Sequence, residues 1–234
     1  MSSDKIILQL KYFTTEQRRQ TNEWFFKTGK GEYSEFDQFM NVRMPQIRQV
    51  AKQYFKDIVY DEIDKLIHHP IHEIRHCGLI ILVNKYQSGD EASVFKYYLK
   101  NINSVNNWDL VDTTTPHIMG DYIYHHQDQL PLLFEFSKSN DLWKKRIAIV
   151  ATFVFIKQGE FKPTFKIAKT LLIDTHDLIH KATGWMLREV YKKDHQAMQL
   201  FLQENYKQLS RITLRYAIEL MVENQRLLYL KGKF

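Results

Sequence analysis

A recurring interval between similar helical segments most constrains the fold of this chain. Segments such as RHCGLIIL and RIAIVATF begin at intervals of 35, 36, 35 and 34 residues. The five starting positions are Arg75, Leu110, Arg146, Lys181 and Arg215. A helix pair that recurs at this spacing cannot bury its apolar face alone, so it must stack on its neighbours. The sequence therefore predicts stacked helical repeats.

The rest of the chain agrees with a helical fold. Helical periodicity is nearly continuous, and only 8 Gly and 5 Pro interrupt 234 residues. Pro45 suits the first turn of a helix, Thr14 and Gln17 have the spacing of a capping box, and residues 27–32 are loop-like. No Ser- or Pro-rich linker divides residues 1–234. We predict an all-α, right-handed HEAT-like α-solenoid of about six antiparallel helix pairs in a single domain.

Charge and cysteine content bound the function only loosely. The net charge of +6 permits nucleic-acid binding without requiring it. The single cysteine, Cys77, points to a reducing compartment. The first residues lack the order of a signal peptide, and the longest apolar run, residues 147–156, is shorter than the roughly 18–20 residues of a membrane span. We expect a cytoplasmic protein without a membrane segment.

One aspartate breaks the repeat pattern. Two places after the start of four of the five related segments stands a small residue, and these are Cys77, Ala148, Thr183 and Ala217. In the second repeat the same slot holds Asp112. Such a local inconsistency is typical of functional positions, although a structural aspartate with satisfied hydrogen bonds is the alternative. Asp112 is therefore a candidate functional residue.

A second motif is the sequence HEIRH at residues 72–76. It matches the H-E-x-x-H pattern, in which two histidines one helical turn apart bind zinc and the glutamate acts as a base. The pattern fixes only three positions, and no later histidine completes a zinc protease arrangement. We predict no metal site here, and expect solvated histidines at a polar helix start. His125 and His126 are likewise predicted to lie at the surface.

Several segments resemble one known family, the AlkD-type DNA alkylation repair glycosylases. The resemblance extends from about residue 20 to about residue 225. Its most specific parts are WDLVD and GWMLRE at this distance in a chain of helical repeats. The segments concerned are FFKTGKGEY (25–33), MNVRMPQIRQVAK (40–52), NNWDLVD (106–112), WKKR (143–146) and KATGWMLRE (181–189).

The resemblance implies roles for individual residues. Asp112 matches the catalytic carboxylate, and Trp108 and Trp185 match aromatic residues beside the damaged nucleotide. The basic residues that match positions near the lesion or the phosphates are Arg146, Arg188, Lys181 and Arg48. Where the family has a tyrosine that completes the aromatic cleft, Trp24 and Phe25 stand here, so these two are the candidates for that wall. Asp109 is expected to be a helix cap or an ion-pair partner.

The resemblance also implies an activity and a partner. We expect excision of cationic purines such as N3-alkyladenine and N7-alkylguanine from double-stranded DNA, by a monomer without cofactor or metal that associates with the nucleoid when bound. The alternative is a non-catalytic HEAT-repeat protein that binds DNA structure. A third hypothesis, a zinc hydrolase, would require a metal at His72 and His76.

Overall fold

The protein is all-helical, as predicted. A computed structural model describes residues 1–15 and 24–234. Within these residues there is no β-strand, and the only extended pairing is an isolated bridge between Gln38 and Ile71. The chain groups into two compact units, Met1–Ile118 and Met119–Phe234, which are described separately.

Within its described residues, the first unit contains six α-helices of seven or more residues. Residues 24–26 are also helical. The six helices are α1 (Ser3–Tyr12), α2 (Met44–Tyr54), α3 (Tyr60–Ile67), α4 (His72–Gln87), α5 (Glu91–Lys100) and α6 (Trp108–Thr114).

Helix α4 is the centre of the first unit. It packs against α2, α3, α5 and α6, and nearly all of its side chains are buried. A helix surrounded in this way needs apolar residues on every face, and GLIILV (78–83) supplies them. Its first turn is different, because it buries the polar residues His72, Glu73, Arg75 and His76.

The second unit is also built from helices. Its helices are α7 (Asp121–His125), α8 (Leu130–Ser137), α9 (Leu142–Ala151), α10 (Phe153–Lys157), α11 (Lys162–Leu171), α12 (Asp177–Lys193), α13 (His195–Asn205), α14 (Arg211–Ala217) and α15 (Glu223–Lys231). Helix α12 packs against α9 on one side and α14 on the other, and it also contacts α11 and α13.

The sequence period corresponds to real packing within each unit. Related segments lie on α4 and α6, which are neighbours, and on α9, α12 and α14, which are successive neighbours. The small residues of the pattern, Cys77, Ala148, Thr183 and Ala217, are all buried, whereas Asp112 is half-buried. Contact between α12 and α14 is especially close, since a Cβ atom at Gly184 would lie 2.6 Å from the Thr213 carbonyl oxygen.

Local predictions can also be compared with the structure. Pro45 lies in the first turn of α2, as predicted. The loop that begins at Lys27 is confirmed, and Lys27 adopts a positive φ of 58°. Gln17, half of the predicted capping box, lies outside the described residues. Of the helices in residues 1–15 and 24–234, none is both long enough and apolar enough to span a membrane.

Candidate functional site

The candidate site is built around the start of α6, which carries Trp108 and Asp109 in its first turn and Asp112 one turn later. Asn107 caps this helix, because its side-chain oxygen accepts a hydrogen bond from the Trp108 amide at 2.8 Å. The Asn107 amide group donates to Ser34 Oγ at 2.7 Å and to Asp37 Oδ2 at 3.0 Å. Asn107 is completely buried. The helix start is therefore fixed to the loop that contains residues 34–37.

Directly beneath this turn lies a buried ion-pair network. His72 Nε2 donates to Asp109 Oδ2 at 2.8 Å, and His72 Nδ1 lies 3.4 Å from Asp37 Oδ2. His76 Nδ1 lies 3.4 Å from the same Asp109 oxygen. Arg75 donates to Asp37 Oδ1 from the other side. Asp109 is thus an ion-pair partner, which is one of the two roles predicted for it.

The network favours the protonated, positively charged form of His72. Burial alone would lower the pKa of His72, but the Asp109 carboxylate and the hydrogen bonds to Asp109 and Asp37 raise it to about 9. Burial would raise the pKa of Asp109, yet the charge and hydrogen bond of His72, with a contribution from His76, hold it well below its usual range. At neutral pH the pair is therefore an imidazolium and a carboxylate.

The histidines of the HEIRH motif were predicted to be solvated, and that prediction is wrong. His72 and His76 are each only 2% exposed. The start of α4 faces the loop 34–41 and α6 instead of solvent. Its charged side chains therefore form hydrogen bonds with that loop and with α6. Burial of these groups is tolerated because His72 and Arg75 meet carboxylates, while the Glu73 carboxylate accepts hydrogen bonds from backbone amides.

The same residues raise the question of a metal. Ligand atoms of His72, His76 and Asp109 all lie within 4.8 Å of one another, so their spacing could accommodate an ion. Both nitrogens of the His72 ring face carboxylates in this structure, Nε2 at 2.8 Å from Asp109 Oδ2 and Nδ1 at 3.4 Å from Asp37 Oδ2, whereas zinc takes a neutral imidazole nitrogen as its ligand. Glu73, the base of a zinc-hydrolase motif, accepts hydrogen bonds from the Met40 and Asn41 amides at 3.0 and 2.7 Å. The arrangement fits a buried ion pair better than a zinc centre.

An aromatic cluster surrounds Trp108. Phe26 stacks on its ring with a centroid distance of 5.6 Å and an interplanar angle of 19°. Phe25 meets the Trp108 ring edge-on at 5.4 Å. Phe26 also stacks on Phe39 at 4.8 Å, and both phenylalanines contact the His72 ring at 5.0 and 4.9 Å. The cluster therefore connects Trp108 to the ion pair below it.

Trp24 and Phe25 were predicted to form an aromatic wall of the cleft, and the ring contacts of Trp108 described above involve Phe25. Phe25 touches Trp108 and is half exposed, whereas Trp24 is 75% exposed. Phe26 and Phe39 were not singled out from the sequence, and a pair of adjacent phenylalanines gave no sign of which ring would stack. A cavity of about 400 Å³ opens beside the cluster, and its walls include Phe26, Phe39 and Asp109.

Asp112 lies one helical turn after Trp108 on α6. Residues four apart in a helix lie on the same face, so the two side chains share a face of α6. The helix then changes into a π-helical turn over Pro116–Gly120. Pro116 has no amide hydrogen for the carbonyl of Asp112, which accounts for the change of winding. Just before this change of winding, the Tyr98 hydroxyl forms a hydrogen bond of 2.7 Å with Thr114 Oγ1.

In the second unit, α12 carries two of the predicted residues. Trp185 is half-buried, its indole nitrogen donates to Glu189 Oε1 at 3.1 Å, and its ring lies 6.1 Å from that of Phe153. Arg188 is paired with Glu219 and lies near Glu189. These carboxylates hold the arginine in place, and a phosphate would have to compete with them.

The remaining basic candidates differ in exposure. Arg48 is exposed on α2. Lys181 pairs with Asp177 at 2.8 Å near the start of α12, in a pair that is about half exposed. Arg146 is buried, and it donates to the Leu178 carbonyl at 2.7 Å, so it connects α9 to the first turn of α12. Arg48 and Lys181 are thus better placed for solvent-side contacts than Arg146.

Together these features define a helical-repeat protein with a tryptophan and two aspartates at the start of one short helix, whose first turn is held by buried ion pairs. The sequence of residues 6–221 matches a protein family described as DNA alkylation repair enzyme, and the chain belongs to that family. Membership places the chain in DNA repair, with DNA as its partner.

A solved structure gives independent support for the fold. The chain is similar to a predicted DNA alkylation repair enzyme from Enterococcus faecalis, with a TM-score of 0.70 and 16% sequence identity. The match covers 90% of this chain and 97% of the other. A search of curated proteins gave no significant match. At this identity the structural likeness concerns the fold, and the family match carries the assignment.

Proposed function

We propose that this protein is a monofunctional DNA glycosylase that removes cationic alkylated purines, such as N3-alkyladenine and N7-alkylguanine, from double-stranded DNA. The position of Asp112 carries the proposal. It is a half-buried carboxylate one turn from Trp108, in a slot where related helices hold buried small residues. The resemblance gives the same aspartate the catalytic role.

The proposed chemistry needs a carboxylate and little else. An alkylated purine carries a positive charge, so its glycosidic bond is already weak and the leaving base needs no proton. As the bond breaks, positive charge builds on the deoxyribose, and a fixed carboxylate stabilises that charge. Asp112 would also orient the water that attacks the sugar, or accept its proton. Hydrolysis of this kind uses water alone and yields a free base and an abasic site.

The tryptophans would favour a cationic lesion over a normal base. An indole face attracts a cation by roughly 0.5–2 kcal/mol, depending on desolvation. Trp108 is held by stacked rings in an orientation that leaves it half-buried. For Trp185, Arg188 and Arg146 the lesion-side role rests on the resemblance alone. Arg48 and Lys181 would contact phosphates and hold the duplex.

The alternative is a DNA-structure-binding protein without catalysis. Such a protein would need the basic residues, and Asp112 would then have only a structural role. The half-buried Asp112 beside an organised tryptophan therefore favours the glycosylase.

A direct assay separates the two functions. The protein is incubated with a duplex that contains one N7-methylguanine, and abasic sites are then cleaved by mild alkali. We expect strand cleavage at the lesion and release of free N7-methylguanine, with no cleavage of the unmodified duplex. Binding of both duplexes without any base release would favour the structure-binding alternative.

A further inference from the structure

We propose that His72 is a positioning residue that fixes Trp108 and, through the first turn of α6, Asp112. Resting on the proposed function, the proposal assigns His72 a part in the same site without contact to the substrate. His72 is buried, so it can act only through its neighbours. Those neighbours are the helix start on one side and the aromatic cluster on the other.

The first argument concerns the helix itself. Helix α6 keeps regular α-helical winding for only seven residues before the π-helical turn, and the amides of its first turn have no acceptors within the helix, so the position of its start depends on tertiary contacts. Asp109, the residue after Trp108, is bound to His72 at 2.8 Å. Asn107, the residue before Trp108, is bound to Asp37, which lies 3.4 Å from the other His72 nitrogen. His72 is therefore connected to both residues that flank Trp108, directly to Asp109 and through Asp37 to Asn107.

The second argument concerns the Trp108 ring. Phe26 lies against Trp108, and His72 contacts both Phe26 and Phe39, with centroid distances near 5 Å. A smaller side chain at position 72 would leave a gap under these two phenylalanines. The tilt of the Trp108 indole would then be less restricted.

Histidine suits this position for a chemical reason. A protonated imidazole has a donor on each side of a flat ring, so one side chain can serve two carboxylates while it also packs against aromatic rings. Phenylalanine keeps the ring and loses both donors. Glutamine keeps a donor near the position of Nε2 and loses the ring. The two substitutions therefore separate the contributions of ion pairing and ring packing.

The test uses His72→Phe and His72→Gln, with the exposed His125→Phe as the matched control. Trp108 is observed by ¹⁹F NMR of protein labelled with 5-fluorotryptophan, and its resonance is assigned with Trp108→Phe. Single-turnover excision of N7-methylguanine and affinity for undamaged duplex are measured on the same samples. A misplacement of about 1 Å in a reacting group can reduce the rate by about 10²-fold.

For His72→Phe we expect a shifted or broadened Trp108 resonance, unchanged affinity for undamaged duplex, and excision reduced about 10- to 100-fold. His72→Gln should show a smaller loss, since it retains a donor to Asp109. If His72→Phe does not fold, His72→Gln alone must still shift the resonance and slow excision. His125→Phe should match the wild type.

Two results would overturn the proposal. One is a wild-type Trp108 resonance and excision rate in both His72 variants. The other is a lower melting temperature with a wild-type resonance and rate, which would make His72 a stabilising residue only. If the wild-type protein itself releases no base, the proposed function fails, and the NMR comparison still decides whether His72 positions Trp108.

Discussion

Trp108 in the first unit and Trp185 in the second are held in place by different means. Trp108 begins a seven-residue helix, and buried charges and stacked rings fix its position. Trp185 lies within α12, a helix of 17 residues, next to the glycine that allows close contact with α14. The first arrangement depends on charge, and the second depends on the size of side chains between helices.

The largest effect is expected when charge is removed from the first arrangement. Asp109→Asn would leave the His72 cation with Asp37 as its remaining acidic partner at 3.4 Å. Breaking a buried ion pair in this way costs roughly 3–5 kcal/mol of unfolding free energy. Urea denaturation of both proteins measures the difference.

A matched control for Asp109→Asn is available in the second unit. Asp177→Asn removes the half-exposed pair with Lys181, which should cost no more than about 1 kcal/mol. Equal costs for the two substitutions would contradict the claim that charge holds the first arrangement.

A smaller effect is expected when size is increased in the second arrangement. Gly184→Ala would place a Cβ atom 2.6 Å from the Thr213 carbonyl oxygen and 2.5 Å from Tyr216 Cβ, so α12 and α14 must move apart. Overpacking of this kind costs about 1–3 kcal/mol. Gly29→Ala is the matched comparison, because the three atoms nearest the added Cβ atom belong to the exposed side chain of Glu32, which can move aside. Thermal unfolding that leaves Gly184→Ala as stable as the wild type would show that the close contact is not needed.

The third expected effect is on excision and not on stability. Trp185 is only half-buried, so Trp185→Ala should cost less than the roughly 3–5 kcal/mol typical of a core tryptophan. If its face attracts the lesion, the excision rate should fall by about 2- to 30-fold, equivalent to roughly 0.5–2 kcal/mol. Single-turnover kinetics and melting temperature are measured together. A large loss of stability with a normal rate would make Trp185 a core residue.

The sequence predicted the second arrangement better than the first. Packing of α9, α12 and α14 follows from a repeat of apolar and small residues, and that repeat is visible along the chain. Asp112 was found as the exception to the same repeat. Ion pairs of His72 with Asp37 and Asp109 join residues 35 or more positions apart, and no period marks such pairs. A polar first turn such as HEIRH has the composition of a solvated helix start, so its burial could not be predicted from composition alone.

The central claim is that the charge of Asp112 promotes base excision. Asp112→Asn keeps the size of the side chain and removes its charge, and it is compared with Asp128→Asn, which removes an exposed charge elsewhere. The measurement is the single-turnover rate of N7-methylguanine release at saturating protein. The account predicts a fall of about 10²–10³-fold for Asp112→Asn, with DNA affinity unchanged or tighter, and a wild-type rate for Asp128→Asn. A wild-type rate for Asp112→Asn would contradict it.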